Sequence, residues 1–406
     1  MLNIEQEKAA STPDFGLPVL RLGFRPFFLA AGLFAIISMA LWMASYLFAV
    51  KLEFAGIPAN LWHAHEMLFG YTMAVVAGFL LTAIKNWTGV EVLRGSALAF
   101  LLALWFLARL LPVSGFAVSI EVIAIIDSAF LLLLVAVCIR PVLMVRQYKQ
   151  LGIISKLFLL FLCNVVFYLG LTGDLTHGVQ WGLYSALYMI IALILVMMRR
   201  VMPMFIKNGI DLAAGENLEL KNRLWLDNAS LVLLLCLWLS DVFTGYDQFT
   251  AVAAIALTAL HAVRLAGWYD KRIWKKPLVW ILVVAYAFII LGFTLKALAI
   301  YAGISPFISI HAFTVGGVGL LTIGMMSRVS LGHTGRNVFD PPAIVFWIFL
   351  SLLLGAIVRV VFPLINMGLY VYWIGISQLL WMIAFIIFVV VYAPMFLTAR
   401  VDGRDG

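Results

Sequence analysis

Trp62 to Gly89 reads WHAHEMLFGYTMAVVAGFLLTAIKNWTG. An apolar run long enough to cross a bilayer opens on two histidines and a glutamate and closes on Lys85-Asn86-Trp87-Thr88-Gly89. A hydrocarbon core about 30 Å thick is spanned by about 20 helical residues. Lipid offers no partner to backbone N–H and C=O groups, so a lone apolar run can cross only as a helix. Imidazole is costly there, which makes His63 and His65 functional candidates. Successive helix residues turn by ~100°, so the two rings point to nearly opposite faces. One helix can therefore serve two centres, one on each side.

A partner stretch begins 246 residues downstream, from His311 to Gly335: HAFTVGGVGLLTIGMMSRVSLGHTG. Laid over His65 to Gly89 it matches His65/His311, Gly70/Gly316, Gly78/Gly324, Thr88/Thr334 and Gly89/Gly335. Composition alone would give roughly two such matches in a chain this apolar. The matched residues are not the abundant ones, however, and histidine occurs only 6 times.

The 406 residues are 65% hydrophobic and 11% charged, whereas soluble domains carry about 25% charged residues. The composition predicts an all-α membrane protein, with residues 1–406 forming a single integral membrane domain. Cys138, Cys163 and Cys236 all fall inside apolar runs, which excludes a disulfide framework or a paired-cysteine metal motif. The first 20 residues carry mixed charge and lack an apolar core, so no cleavable signal is expected. No Walker A, Rossmann or nucleophile-elbow pattern occurs, and nothing points to nucleic acid.

The hydropathy pattern predicts twelve transmembrane helices at about 27–50, 61–84, 95–111, 116–138, 153–172, 178–200, 224–243, 249–268, 278–301, 306–327, 343–362 and 368–398. With a cytoplasmic N-terminus, 22 basic residues, Lys8 among them, gather at one face and Lys51 alone lies clearly on the other. That asymmetry places both termini in the cytoplasm. Arg109, Arg264, Lys296 and Arg359 lie within spans or at their edges. The 246-residue offset carries the first four spans onto the last four, and half of it brings them near spans 5 to 8. The expectation is three parallel four-helix repeats, over 20–140, 150–270 and 271–400. Twelve helices in three arcs would resemble the haem–copper oxidase catalytic subunit, an analogy of architecture only.

His65 and His311 stand at the starts of helices that run in the same direction, at the same depth. Two readings follow. In the first they are axial ligands of one haem iron between spans 2 and 10, with glycines at 70, 78, 316, 317, 319 and 324 opening a slot for the macrocycle. In the second the glycines allow close helix packing and the histidines hydrogen-bond neighbouring spans. His63 and His261 are candidates for a second metal centre, or else an interfacial and a buried structural histidine. Glu66, Glu121, Asp127 and Lys296 are candidates for a proton path, with plain ion pairing as the alternative. Asn86, Arg199, Arg200, Arg328, His333 and Arg336 gather near the inner face as a candidate polar cluster.

The stretches RLGFRPFFL (Arg21–Leu29), WHAHEMLFGY (Trp62–Tyr71), GFLLTAIKNWTG (Gly78–Gly89), RRVMPMF (Arg199–Phe205), HAVRLAGW (His261–Trp268) and SRVSLGHTGR (Ser327–Arg336) together resemble the NnrS family. The resemblance covers essentially the whole chain. It implies a protein of the bacterial inner membrane that contains haem, with b type the expectation, and copper. It also implies a part in the nitric oxide response of denitrifiers and in defence against nitrosative stress, with nitric oxide as small-molecule ligand. The expected function is to bind, sense or reduce nitric oxide, with a reductase-like oxidoreductase as the enzymatic form. A proton-coupled permease without cofactor and a haem or copper delivery factor are the alternatives.

Overall fold

The computed structural model describes residues 16–210 and 218–404; Lys8 lies outside them. Among the described residues twelve helices are long and apolar enough to cross a membrane. Spans 1 to 6 are Phe24–Leu47, Ala59–Thr88, Gly95–Val113, Ile120–Met144, Tyr148–Thr172 and Gly178–Gly209. Spans 7 to 12 are Leu224–Thr244, Asp247–Gly267, Pro277–Tyr301, Pro306–His333, Ile344–Ile365 and Met367–Leu397. Every expected span is present. Span 6 departs most, running to Gly209 instead of ending near residue 200. The apolar signal stops at Arg199-Arg200, but arginine, methionine and lysine are good helix formers and carry the helix on beyond the apolar stretch.

The chain marks its own helix ends. Spans 2 and 5 stop at Gly89 (φ 71) and Gly173 (φ 88), residues that enter the left-handed region without a Cβ penalty. Spans 9 and 10 begin on Pro277 and Pro306, where the missing N–H costs nothing.

Twelve crossings bring both described ends of the chain to one pole of the bundle. Arg25, fully buried, fastens them together: its Nη1 donates to the carbonyls of Met395 (3.0 Å), Phe396 (3.0 Å) and Thr398 (2.7 Å) at the end of span 12. We call this the terminal pole and its opposite the distal pole. Spans 2 and 6 are the most enclosed, 83% buried over their most apolar windows, followed by spans 9 and 10 at 72%. The remaining spans are half-buried or less and ring this centre.

Between helices in lipid there is little hydrophobic driving force, so close packing and hydrogen bonds hold the bundle together. Spans 5 and 6 touch backbone to backbone: a Cβ on Gly170 or Gly178 would overlap the other glycine's main chain. Trp381 Nε1 donates to the Ala35 carbonyl at 3.1 Å and ties span 12 to span 1. Tyr71 and Thr322 share a 2.6 Å hydroxyl–hydroxyl bond between spans 2 and 10.

Spans 2 and 10 also share a distortion. Each widens into a π-helix on the residue after a histidine, over Glu66–Thr72 and Ala312–Gly319. Such segments loosen the regular carbonyl ladder and recur at functional sites. In span 2 the Gly70 carbonyl accepts from Trp105 Nε1 at 3.0 Å. The glycines on these helices are packed. An added Cβ would meet Phe34 at Gly70, Phe28 at Gly78, Phe288 at Gly316, Ile289 at Gly317, Trp381 at Gly319 and Ile281 at Gly324. They admit neighbouring side chains.

Candidate functional site

Spans 2 and 10 start at the distal pole, which places His63, His65 and His311 near it. The two rings of span 2 face different surroundings, as a turn of ~200° between them requires. His65 is buried among spans 2 to 5. Its Nδ1 lies 3.2 Å from Glu66 Oε1, and its Nε2 lies 2.9 Å from Asn164 Oδ1 and 3.4 Å from Asp127 Oδ2. Phe167 stacks on the ring at 4.5 Å. Arg109 of span 3 pairs with Glu66 at 3.1 Å and also with Asp127, which accepts from Tyr168 at 3.2 Å. Every member is buried. The guanidinium fills the place between the two carboxylates that a cation would otherwise take.

His63 meets a sparser environment. Its ring stacks on Trp42 of span 1 at 4.7 Å and 7°, and its Nδ1 is buried without a partner. It lies within electrostatic reach of His311 and of Arg359 on span 11. His311 Nδ1 is 2.6 Å from the Phe307 carbonyl, which can only accept, so Nδ1 carries the proton. That fixes the tautomer and leaves Nε2 with a lone pair, which accepts from Arg359 Nη2 at 3.1 Å. The structure thus brings His311 to His63. No contact joins His311 to His65, whose two nitrogens both have partners.

His261 stands apart from both. Its Nδ1 bonds to Tyr286 at 2.6 Å, its ring is stacked 5.8 Å from Phe293, and its Nε2 is buried without a partner. Nearby, Asp227 accepts from Arg264 at 2.7 Å and pairs with Arg199 at 3.2 Å. Of the proton-path candidates, Glu66 and Asp127 share the His65 network. Lys296 pairs with Asp241 at 2.5 Å beside Tyr188, and Glu121 is exposed at the start of span 4.

Each of the inner polar residues has its own surroundings. Asn86 is exposed, and Arg200 donates to Gln150 at 2.6 Å. Arg328 lies 4.1 Å over Phe205. His333 packs on Phe24 at 5.6 Å, and Arg336 folds back toward the Thr334 carbonyl at 3.5 Å.

Arg109, Asn164, Tyr168, Trp42 and Arg359 were not among the candidate site residues. For the two arginines the sequence carries the signal, since a cation inside a span demands a partner. The three free cysteines are buried or half-buried. Among the described residues no group of three or more His, Cys, Asp or Glu side chains is arranged to hold a metal ion. A cavity of about 80 Å³ lies between spans 2, 6 and 10, lined by Phe28, Val75, Phe79, Ile194, Val318 and their apolar neighbours. It has room for a diatomic molecule and not for a porphyrin. His63 has an unpaired ring nitrogen, whereas His311 engages both of its own, Nδ1 at the Phe307 carbonyl and Nε2 at Arg359.

No curated protein matches the chain. A family model described as NnrS protein matches residues 18–400, which takes in all twelve spans and both histidine-bearing helices. The chain belongs to the NnrS family, as a multi-pass protein of the inner membrane.

Proposed function

We propose that the chain holds a redox metal cofactor at the distal pole through His63 and His311 and uses it to bind, sense or reduce nitric oxide. The observation that carries this reading is the unpaired His63 Nδ1 beside His311. A buried polar atom without a partner is costly, and coordination would satisfy it. The His311 Nδ1 bond to a backbone carbonyl is the kind of contact that orients a metal-binding imidazole. Trp42 holds the His63 ring plane by stacking.

Family membership supports haem and copper as the cofactor chemistry; when bound, such a metal would supply the site for nitric oxide and its electrons. The termini are read as cytoplasmic from the charge asymmetry of the loops. A three-repeat arrangement gains support from the enclosure of spans 2, 6 and 10 and from the matched π-helices.

The test is haem and metal content per chain, with an absorbance spectrum, after expression with ample haem. His63→Ala and His311→Ala should each remove the same signal, and His333→Ala should leave it intact. If His65→Ala and His311→Ala are instead the pair that removes it, the site lies on the other face of span 2. Absence of both haem and stoichiometric metal sinks the proposal. It would favour a proton-coupled permease, for which the observation is the buried Glu66–Arg109–Asp127 network.

A further inference from the structure

One buried cation near the distal pole has no counter-charge. Arg359 is 8% exposed, and among the described residues no carboxylate pairs with it. Its Nη2 donates to His311 Nε2, its Nη1 is buried with no partner, and its guanidinium lies 5.1 Å over the Tyr370 ring. Other buried arginines differ. Arg25 caps three carbonyls, Arg109 sits between two carboxylates and Arg264 bonds Asp227. Among the described residues no carboxylate pairs with Arg328 either, but none of its nitrogens is buried without a partner. Arg359 combines burial, an orphaned Nη1 and, among the described residues, no carboxylate partner.

We propose that Arg359 anchors an anion-binding site that takes a planar, singly charged, two-oxygen anion. A guanidinium presents paired N–H donors in a fork that matches a carboxylate or nitrite, and one such group balances one negative charge. Burying the guanidinium without that charge is unfavourable, which is the driving force for binding. The neighbours reached by its charge are His63 and His311; neither is acidic, and His311 takes a hydrogen of Nη2 while Nη1 stays unclaimed. The same positive charge disfavours a bare metal cation at this spot and favours a ligand that brings a carboxylate with it. Two sources share this chemistry. The anion is either free, as nitrite or acetate, or carried by a carboxylate-bearing macrocycle whose metal the adjacent imidazoles would hold. The second source rests on the proposed cofactor site; the first does not.

Two arms separate the sources. In the first, the full chain in detergent is titrated calorimetrically with sodium nitrite and sodium acetate against a chloride background of equal ionic strength. Saturable uptake of one anion per chain is expected, weakened roughly tenfold or more by Arg359→Gln and less by Arg359→Lys. In the second, haem is compared with haem dimethyl ester, which lacks the carboxylates. A tethered carboxylate makes the ester bind roughly tenfold more weakly in the wild type and equally in Arg359→Gln. Anion uptake with no ester effect assigns the site to a free anion. An ester effect that Arg359→Gln abolishes assigns it to the macrocycle. The proposal is overturned if the wild type neither takes up anions nor discriminates the ester, or if both effects survive unchanged in Arg359→Gln. Because the first arm uses no haem, a chain that binds anions but no haem fails the cofactor reading and keeps this one.

Discussion

His63 and His65 stand two residues apart on one helix and live in opposite worlds. Around His65, both ring nitrogens have partners, and Glu66, Arg109, Asp127, Asn164 and Tyr168 enclose it with charges of both signs. Around His63, one ring nitrogen is orphaned and the nearby charge is a single unbalanced arginine. A buried network whose charges balance offers a ligand little and has much to lose if broken. An unsatisfied one contributes little to folding and gains when something binds. On the proposed reading, one face of span 2 serves architecture and the other captures ligand.

The largest effect should come from breaking the satisfied face. Arg109→Ala leaves Glu66 and Asp127 buried without their cation, and removing one partner of such a pair typically costs about 3–5 kcal/mol. Unfolding of the purified protein in detergent should move by that amount, and yield should fall. A loss under about 1 kcal/mol would mean that water reaches the network and that His65 is available after all. Next comes Gly70→Ala, on the same face. Its Cβ would stand 2.6 Å from Glu66 Oε2 and from the Phe34 ring. Overpacking of this kind costs about 1–3 kcal/mol. An unchanged melting profile would show that the π-helix has slack and that a slot beside it can open.

His63→Ala should sit below both in stability and above both in ligand loss. The ring gives up its stacking on Trp42, worth about 0.5–1.5 kcal/mol, and removes an orphaned buried nitrogen, which offsets part of that. Haem and metal content should nevertheless drop to background while the melting temperature stays within a few degrees. If His63→Ala instead destabilises as much as Arg109→Ala, the two faces of span 2 are not different in kind.

How much of this was legible in sequence follows from which forces write into sequence locally. The twelve spans were readable because bilayer thickness imposes a length on every apolar run. The separation of His63 from His65 was readable from the turn per residue. The partners of His65 were not: they come from spans 3, 4 and 5, and helices apolar on all sides carry no periodicity that says which face meets which neighbour. The repeat alignment set His65 opposite His311, whereas the imidazole within electrostatic reach of His311 is that of His63. A residue alignment matches depth but not helix rotation, and the π-helices that begin at Glu66 and Ala312 alter rotation in ways hydropathy does not record. Glycines that suggested a slot turned out to admit Phe28, Phe34 and Phe288, because the same small residue serves both purposes.

The smallest expected effect calibrates the comparison, because it concerns an ion pair in reach of water. Asp270, in the turn between spans 8 and 9 at the terminal pole, caps the short helix Lys271–Lys275. Its carboxylate accepts from the Arg272 backbone N–H at 2.8 Å and from the Arg272 side chain at 2.9 and 2.8 Å. These hydrogen bonds pull its pKa down to about 2. A pKa lowered in the folded state means stability that is complete above the unfolded value of about 3.9 and lost as the pH falls through the folded one. Solvent screening cuts the contribution to under about 1 kcal/mol. Asp270→Asn should therefore melt slightly below the wild type at pH 7, and the gap should narrow steadily below about pH 4. The Arg109 network is shielded from water, so the Arg109→Ala gap at pH 7 should be several times larger than this one. Equal gaps for the two variants at pH 7 would place the His65 network in the same wet, screened class as Asp270 and remove the contrast on which the assignment of the two faces depends.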